Sequence, residues 1–204
     1  MESKLSRKLV HIGTGPIFVV CWLLFPNDFA SRYLAALVPL AITGQFLLIG
    51  TGILKDEAKV KALSRTGDRR EILYGPLFYG IIFVILTIGY WYDSPIGITA
   101  LMVLCGGDGL ADILGRKFGR HSLPWSPGKT WAGVFGMFVG SWTLTAMILL
   151  IFTNQGIFSQ PLSTYLLPIT MISLASTVVE SLPLKEIDNI TITAAAVILG
   201  YLLY

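Results

Sequence analysis

Asp108 and Asp112 stand four residues apart in the segment GGDGLADILGRKFG, residues 106–119, and Arg116 follows at the same interval. On a helix these three side chains share a face, each one turn from the next. Two carboxylates and a cation in a row can hold Mg²⁺ together with the phosphates it bridges. Gly106, Gly107 and Gly109 strip bulk from the same stretch, so a ligand or another helix can approach the backbone. A plain Asp112–Arg116 pair beside a helix-packing glycine face would use the same residues. The cost of carboxylates in otherwise apolar sequence argues for a function.

The stretch Ser126-Pro-Gly-Lys-Thr-Trp131 follows and leads directly into an apolar run. Gly128-Lys129-Thr130 suggests a P-loop, but that motif needs glycine at position 123, which is leucine, and a buried strand before it. The motif is therefore rejected. What remains is Lys129 with the hydroxyls of Ser126 and Thr130 at a helix N-terminus, where free N–H groups and the helix dipole favour a phosphate. Beyond it, Gly133, Gly136 and Gly140 make a small-residue face suited to close helix packing.

A second acidic cluster, Glu180 to Asn189, joins two later apolar runs. Asp188 or Asn189 could serve only as an N-cap. Glu180 ends an apolar helix and requires a cation or a metal. Near the N-terminus, Arg7, Lys8 and His11 precede the first apolar run, and Arg69, Arg70 and Glu71 precede the third. Both groups read as topology anchors or as contacts to an anionic substrate, with Lys8, His11, Arg70 and Glu71 the candidates. Cys21 and Cys105 make no metal-ligand spacing with each other or with His11 and His121, and read as structural thiols.

The elements that must carry these groups are membrane helices. Hydrophobic residues make up 54% of the 204 residues and charged ones 13%, at a mean hydropathy of +0.71, which excludes an ordinary soluble domain. A span needs about 20 apolar residues. Seven fit, near 12–25, 33–54, 74–92, 95–114, 131–153, 162–181 and 189–204, in a single domain covering 1–204. The first resembles a signal peptide but lacks a small-residue cleavage site, and is read as retained.

In that arrangement, fourteen of the fifteen Lys and Arg residues fall in connections on one side, leaving Arg32 on the other. The positive-inside rule then makes the N-terminus cytoplasmic. Asp108, Asp112, Glu180, Glu186 and Asp188 fall on the same side, which points to one shared cytoplasmic site; Asp28 and Asp93 face away. The Asn189-Ile-Thr191 sequon is a chance match on that side. A lipid bilayer is an expected partner and nucleic acid is not. Oligomeric state is left open.

The glycine-rich segment with Asp108 and Asp112, the Gly-Lys-Thr-Trp-Ala-Gly helix start, and Glu-Ser-Leu-Pro with Asp188-Asn189 together resemble the CTP-dependent polyprenol kinases. Arg-Lys-Leu-Val-His-Ile-Gly and Arg-Glu-Ile-Leu-Tyr-Gly-Pro-Leu extend the likeness over nearly the whole chain, closest to the branch that acts on phytol. Gly128 departs from it, since plant members carry a second lysine there. The middle segment is also similar to phosphatidate cytidylyltransferases, whose Gly-His-Gly-Gly and Asp-Arg ending is absent here.

The resemblance implies phosphorylation of a long isoprenoid alcohol, phytol or geranylgeraniol, by CTP with Mg²⁺. The product would feed phytyl diphosphate for tocopherol and chlorophyll metabolism. Asp108 and Asp112 would hold the metal. Gly107, Gly109, Arg116, Ser126, Lys129, Thr130 and Asn189 would line the nucleotide site, with Glu180 and Asp188 completing the metal site or orienting the alcohol. The competing expectations are a lipid-phosphate cytidylyltransferase and a small ion-coupled transporter.

Overall fold

A computed structural model describes residues 2–64, 66–184 and 187–204, with side chains from residue 12 onward. Glu186 and the side chains of Lys8 and His11 lie outside the described residues. The chain is all-α and polytopic. Its helices are α1 (Glu2–Cys21), α2 (Phe29–Thr51), α3 (Glu57–Leu63), α4 (Gly75–Tyr90), α5 (Pro95–Met102), α6 (Asp108–Phe118), α7 (Trp131–Asn154), α8 (Leu162–Ser181) and α9 (Asp188–Leu203).

Five helical stretches are long and apolar enough to cross a membrane: Phe29–Thr51, Arg69–Tyr90, Pro95–Phe118, Trp131–Asn154 and Leu162–Ser181. The outermost two of the seven expected spans correspond to shorter apolar helices, Ile12–Leu24 and Asp188–Leu203. Pro95–Phe118 is the axis of the bundle, 72% buried where the other four are 33–39%. Ile98, Ala100, Leu101, Met102, Val103 and Leu104 are all sealed from solvent.

Local chemistry sets the boundaries. Asp28 accepts from the Ser31 amide at 2.7 Å and starts α2. Ser94 accepts from the Ile96 amide at 3.2 Å ahead of Pro95, so α5 begins where its cap and proline predict. The expected straight helix over 95–114 is instead broken by a π-turn at Val103–Gly107. That wider turn brings glycine backbone against α7: a Cβ on Gly106 would stand 2.7 Å from the Gly140 carbonyl, and one on Gly136 would stand 2.6 Å from that of Leu110. The crossing has no room for side chains.

The two ends of the bundle differ in character. At one end Trp22 packs on Trp91 at 5.0 Å and Tyr92 donates to the Trp22 carbonyl, an aromatic cluster buried inside the bundle. Arg32, the isolated cation of the sequence, pairs there with Asp93 at 2.7 Å. The opposite end carries α3, the start of α4, and a β-hairpin of β1 (Ser122–Leu123) and β2 (Ser126–Thr130), which sequence periodicity did not anticipate. The strands are too short for an alternating pattern to register.

Gly140→Val should disrupt the crossing and lower the melting temperature of the detergent-solubilised protein by the equivalent of about 1–3 kcal/mol, the usual cost of overpacking. Gly44→Ala, with nothing within 4 Å of the new Cβ, should be neutral or stabilising.

Candidate functional site

The hairpin folds back so that its far strand meets the end of α8. Trp125, at the hairpin turn, donates its indole N–H to the Ser181 carbonyl at 3.1 Å. Lys129 on β2 reaches the same helix end, pairing through Nζ with Glu180 Oε1 at 2.9 Å and donating to the Glu180 carbonyl. The side chains of Lys129 and Glu180 are only 20% and 12% exposed. Glu180 thus has the cation that its position in an apolar helix requires.

Only half of Glu180 is satisfied by that contact. Oε2 is buried and has no hydrogen-bond partner among the described residues. The charges of Asp108 and Asp188 both act on this carboxyl group, so α6, α8 and α9 contribute one acid each to a common region. Asp108 also acts on Tyr79 of α4, whose hydroxyl contacts the Cys105 thiol at 3.1 Å. Residues of α4, α6, α8 and α9 and of the hairpin therefore face one region at the charged end. Acids gathered so closely repel one another unless cations balance them.

The other expected residues divide. Asp112 shares its helix face with Asp108 as expected, but its Oδ1 accepts from Arg116 Nε at 2.7 Å, with Arg116 half-exposed. Thr130 caps α7 by accepting from the Gly133 amide at 3.1 Å, which leaves Lys129 one residue outside the helix, on the strand. Ser126 is buried at the start of β2. Asp188 is the first residue of α9, with Ile187 in the capping position, so capping does not account for it. Asn189 donates to the Gly75 carbonyl at 3.3 Å and ties α9 to the start of α4.

Helix packing occupies Gly107 and Gly109: a Cβ on the first would strike Met137 and Ser141, and on the second Ile12. Glu71 is bound to Thr66, accepting from its hydroxyl at 2.6 Å, and Arg70 is exposed. Neither is brought to the acidic patch by any of these contacts. Sequence reading missed Tyr79 and Trp125. Each is an aromatic with a polar tip inside or beside an apolar run, a weak signal, because most such residues only fill a core.

Among the described residues no three His, Cys, Asp or Glu side chains stand close enough to hold a metal by themselves. Glu180 Oε2, buried and without a hydrogen-bond partner among the described residues, is an oxygen donor of the kind that Mg²⁺ takes.

The fold and site together define a polytopic helical membrane protein with a lysine and several carboxylates gathered at one end. Residues 4–201 match the cytidylyltransferase family, and the chain belongs to it. It is 39% identical over 206 residues to a probable phytol kinase, chloroplastic, of Triticum aestivum, covering 100% of this chain and 69% of that one. It is 38% identical to phytol kinase 1, chloroplastic, of Arabidopsis thaliana, covering 99% and 67%. Farnesol kinase, chloroplastic, of the same plant is 40% identical, covering 100% and 66%. No solved structure matches.

Lys129→Met and Glu180→Gln should each lower thermal stability, and a double-mutant cycle should return a coupling of about 1–2 kcal/mol between them. Melting curves of the four proteins in one detergent measure it; additive effects would dissolve the pair.

Proposed function

We propose that the chain transfers the γ-phosphoryl group of CTP to the hydroxyl of a long isoprenoid alcohol, phytol first and geranylgeraniol second. The observation that carries the proposal is the convergence of Asp108, Lys129, Glu180 and Asp188 at one end of an apolar bundle. The names of the relatives, phytol kinase and farnesol kinase, supply the acceptor class. A water-soluble donor meets a lipid acceptor at such a boundary. An alkyl chain gains about 0.8 kcal/mol per buried CH₂ and stays among the helices while its hydroxyl reaches the charged end.

Phosphoryl transfer demands positioning and charge stabilisation more than covalent help from the protein. Asp108 and Asp112 would hold Mg²⁺, with Glu180 Oε2 as a further donor. When bound, the ion neutralises charge on the nucleotide phosphates. Lys129 is already held in place by Glu180, so its ammonium is ready to meet a phosphate oxygen without first being ordered. Arg116, half-exposed on Asp112, can reach for the same nucleotide. Ser126, Thr130 and Asn189 complete the nucleotide side in this proposal, while Gly107 and Gly109, filled by helix packing, shape α6 and do not touch the nucleotide. Asp188 would orient the attacking hydroxyl, with Lys8, His11, Arg70 and Glu71 as outer contacts to substrate.

The positive-inside rule puts this end, and the N-terminus, on the cytoplasmic side of seven spans. The product would supply phytyl diphosphate for tocopherol and chlorophyll metabolism, a setting in keeping with the chloroplastic relatives. The family match favours one competing reading, in which a lipid phosphate attacks the α-phosphorus of CTP and releases diphosphate.

Membranes containing the protein should incorporate label from γ-labelled CTP into phytol and none from α-labelled CTP; α-label in a lipid acceptor would replace the kinase with a cytidylyltransferase. Asp108→Asn should cost ~10²-fold or more in turnover, on the scale of losing one electrostatic contact to the transition state. Undiminished phosphorylation by that variant would remove Asp108 from the metal site.

A further inference from the structure

Two tryptophans at the charged end stay open where the other three are enclosed or partnered. Trp22 and Trp91 are sealed in the bundle, and Trp142 donates its indole N–H to the Thr170 hydroxyl at 2.9 Å. Trp125, at the hairpin turn, and Trp131, the first residue of α7, remain 50% and 52% exposed. Their rings meet edge to face, with centroids 5.8 Å apart and planes at 84°. They form a corner with two perpendicular walls.

A tryptophan at a membrane surface combines an apolar ring with an N–H that stays wet or reaches lipid. Trp125 does not keep that polar tip free. Its N–H is engaged by the Ser181 carbonyl at 3.1 Å, so what the side chain leaves open is ring. The same bond fixes the orientation of the ring, and a face held in place beforehand loses little freedom when a ligand covers it.

Lys129 stands close by. It donates to the Glu180 carbonyl, while Trp125 donates to that of Ser181, the next residue of α8. Successive helical residues lie about 4 Å apart, which puts the indole N–H and the ammonium within about 10 Å of each other. A nucleoside triphosphate spans that separation from its base to its outer phosphates. Lys117 and Arg120, exposed on the segment that enters the hairpin, add positive charge at the same end for an anion.

We infer that Trp125 and Trp131 form the platform on which the base of the donor nucleotide stacks while Lys129 meets its phosphates. The inference rests on the proposed CTP-dependent reading and adds to it the residues that hold the base. Stacking accepts any base with a π-face, so the platform supplies affinity and not the choice of cytosine. The headgroup layer of the bilayer is the competing occupant, and it would leave nucleotide binding untouched.

Displacement of radiolabelled CTP from the detergent-solubilised protein separates the two. Trp125→Leu should weaken CTP by about tenfold or more, the scale of one lost base stack, and leave tripolyphosphate, which has no base, within about twofold. Lys129→Met should weaken both ligands. Trp131→Leu should repeat the pattern of Trp125→Leu, which guards against a hairpin that the first variant has merely loosened. Equal losses for CTP and tripolyphosphate, or no loss for either, would overturn the platform.

Quenching of tryptophan emission by brominated lipid reads the competing occupant. The quenched component should be the same in Trp125→Leu as in the unmodified protein; a component lost in the variant would assign the ring to the bilayer. Base-dependent binding with no phosphorylation of any prenol would instead remove the kinase reading and keep the platform.

Discussion

The contact between Lys129 and Glu180 decides where everything else at the charged end can sit. A carboxylate at the end of an apolar helix is costly without a counter-charge, and the cation here comes from 51 residues earlier in the chain. To deliver it, the segment after α6 must turn back as a hairpin, and Trp125 must anchor that hairpin on the last carbonyl of α8. The start of α7 is then set one residue beyond Lys129, at the Thr130 cap. A lysine that satisfies a buried acid is also rigid, which suits the phosphate contact proposed for it.

Bringing α6 to that hairpin depends on a second constraint, the close crossing of the π-turn with α7. Gly106 and Gly140 meet backbone to backbone, and Gly107 fits against Met137 and Ser141. Apolar side chains gain little from one another in lipid, so close packing of this kind carries much of the association between membrane helices. It also sets the rotation of α6, and hence the direction in which Asp108 looks. The glycines that opened the reading of this segment as nucleotide contacts have a packing explanation in Gly107 and Gly109.

Much of the architecture was legible because a bilayer imposes simple rules. Apolar runs gave the five helical stretches long enough to cross a membrane, and lone Arg32 on the sparsely charged side proved to be paired with Asp93. Ser94 and Pro95 announced the start of α5. The site was less legible. Asp108 and Asp112 are equivalent by spacing, yet only Asp108 acts on Glu180 and Tyr79, while Asp112 is engaged with Arg116. Spacing reports a shared face but not what stands opposite it.

Residue order by itself determined that this chain is a bundle of membrane helices with its charge at one end, because hydropathy and charge asymmetry act locally and survive without any knowledge of packing. It also singled out Asp108, Lys129, Glu180 and Asp188 as groups needing an explanation. Only the tertiary structure decided that Lys129 answers Glu180, that a π-turn breaks the central helix, and that Asn189 ties α9 to the start of α4. Those facts depend on contacts between segments tens to more than a hundred residues apart, where neither periodicity nor propensity carries information.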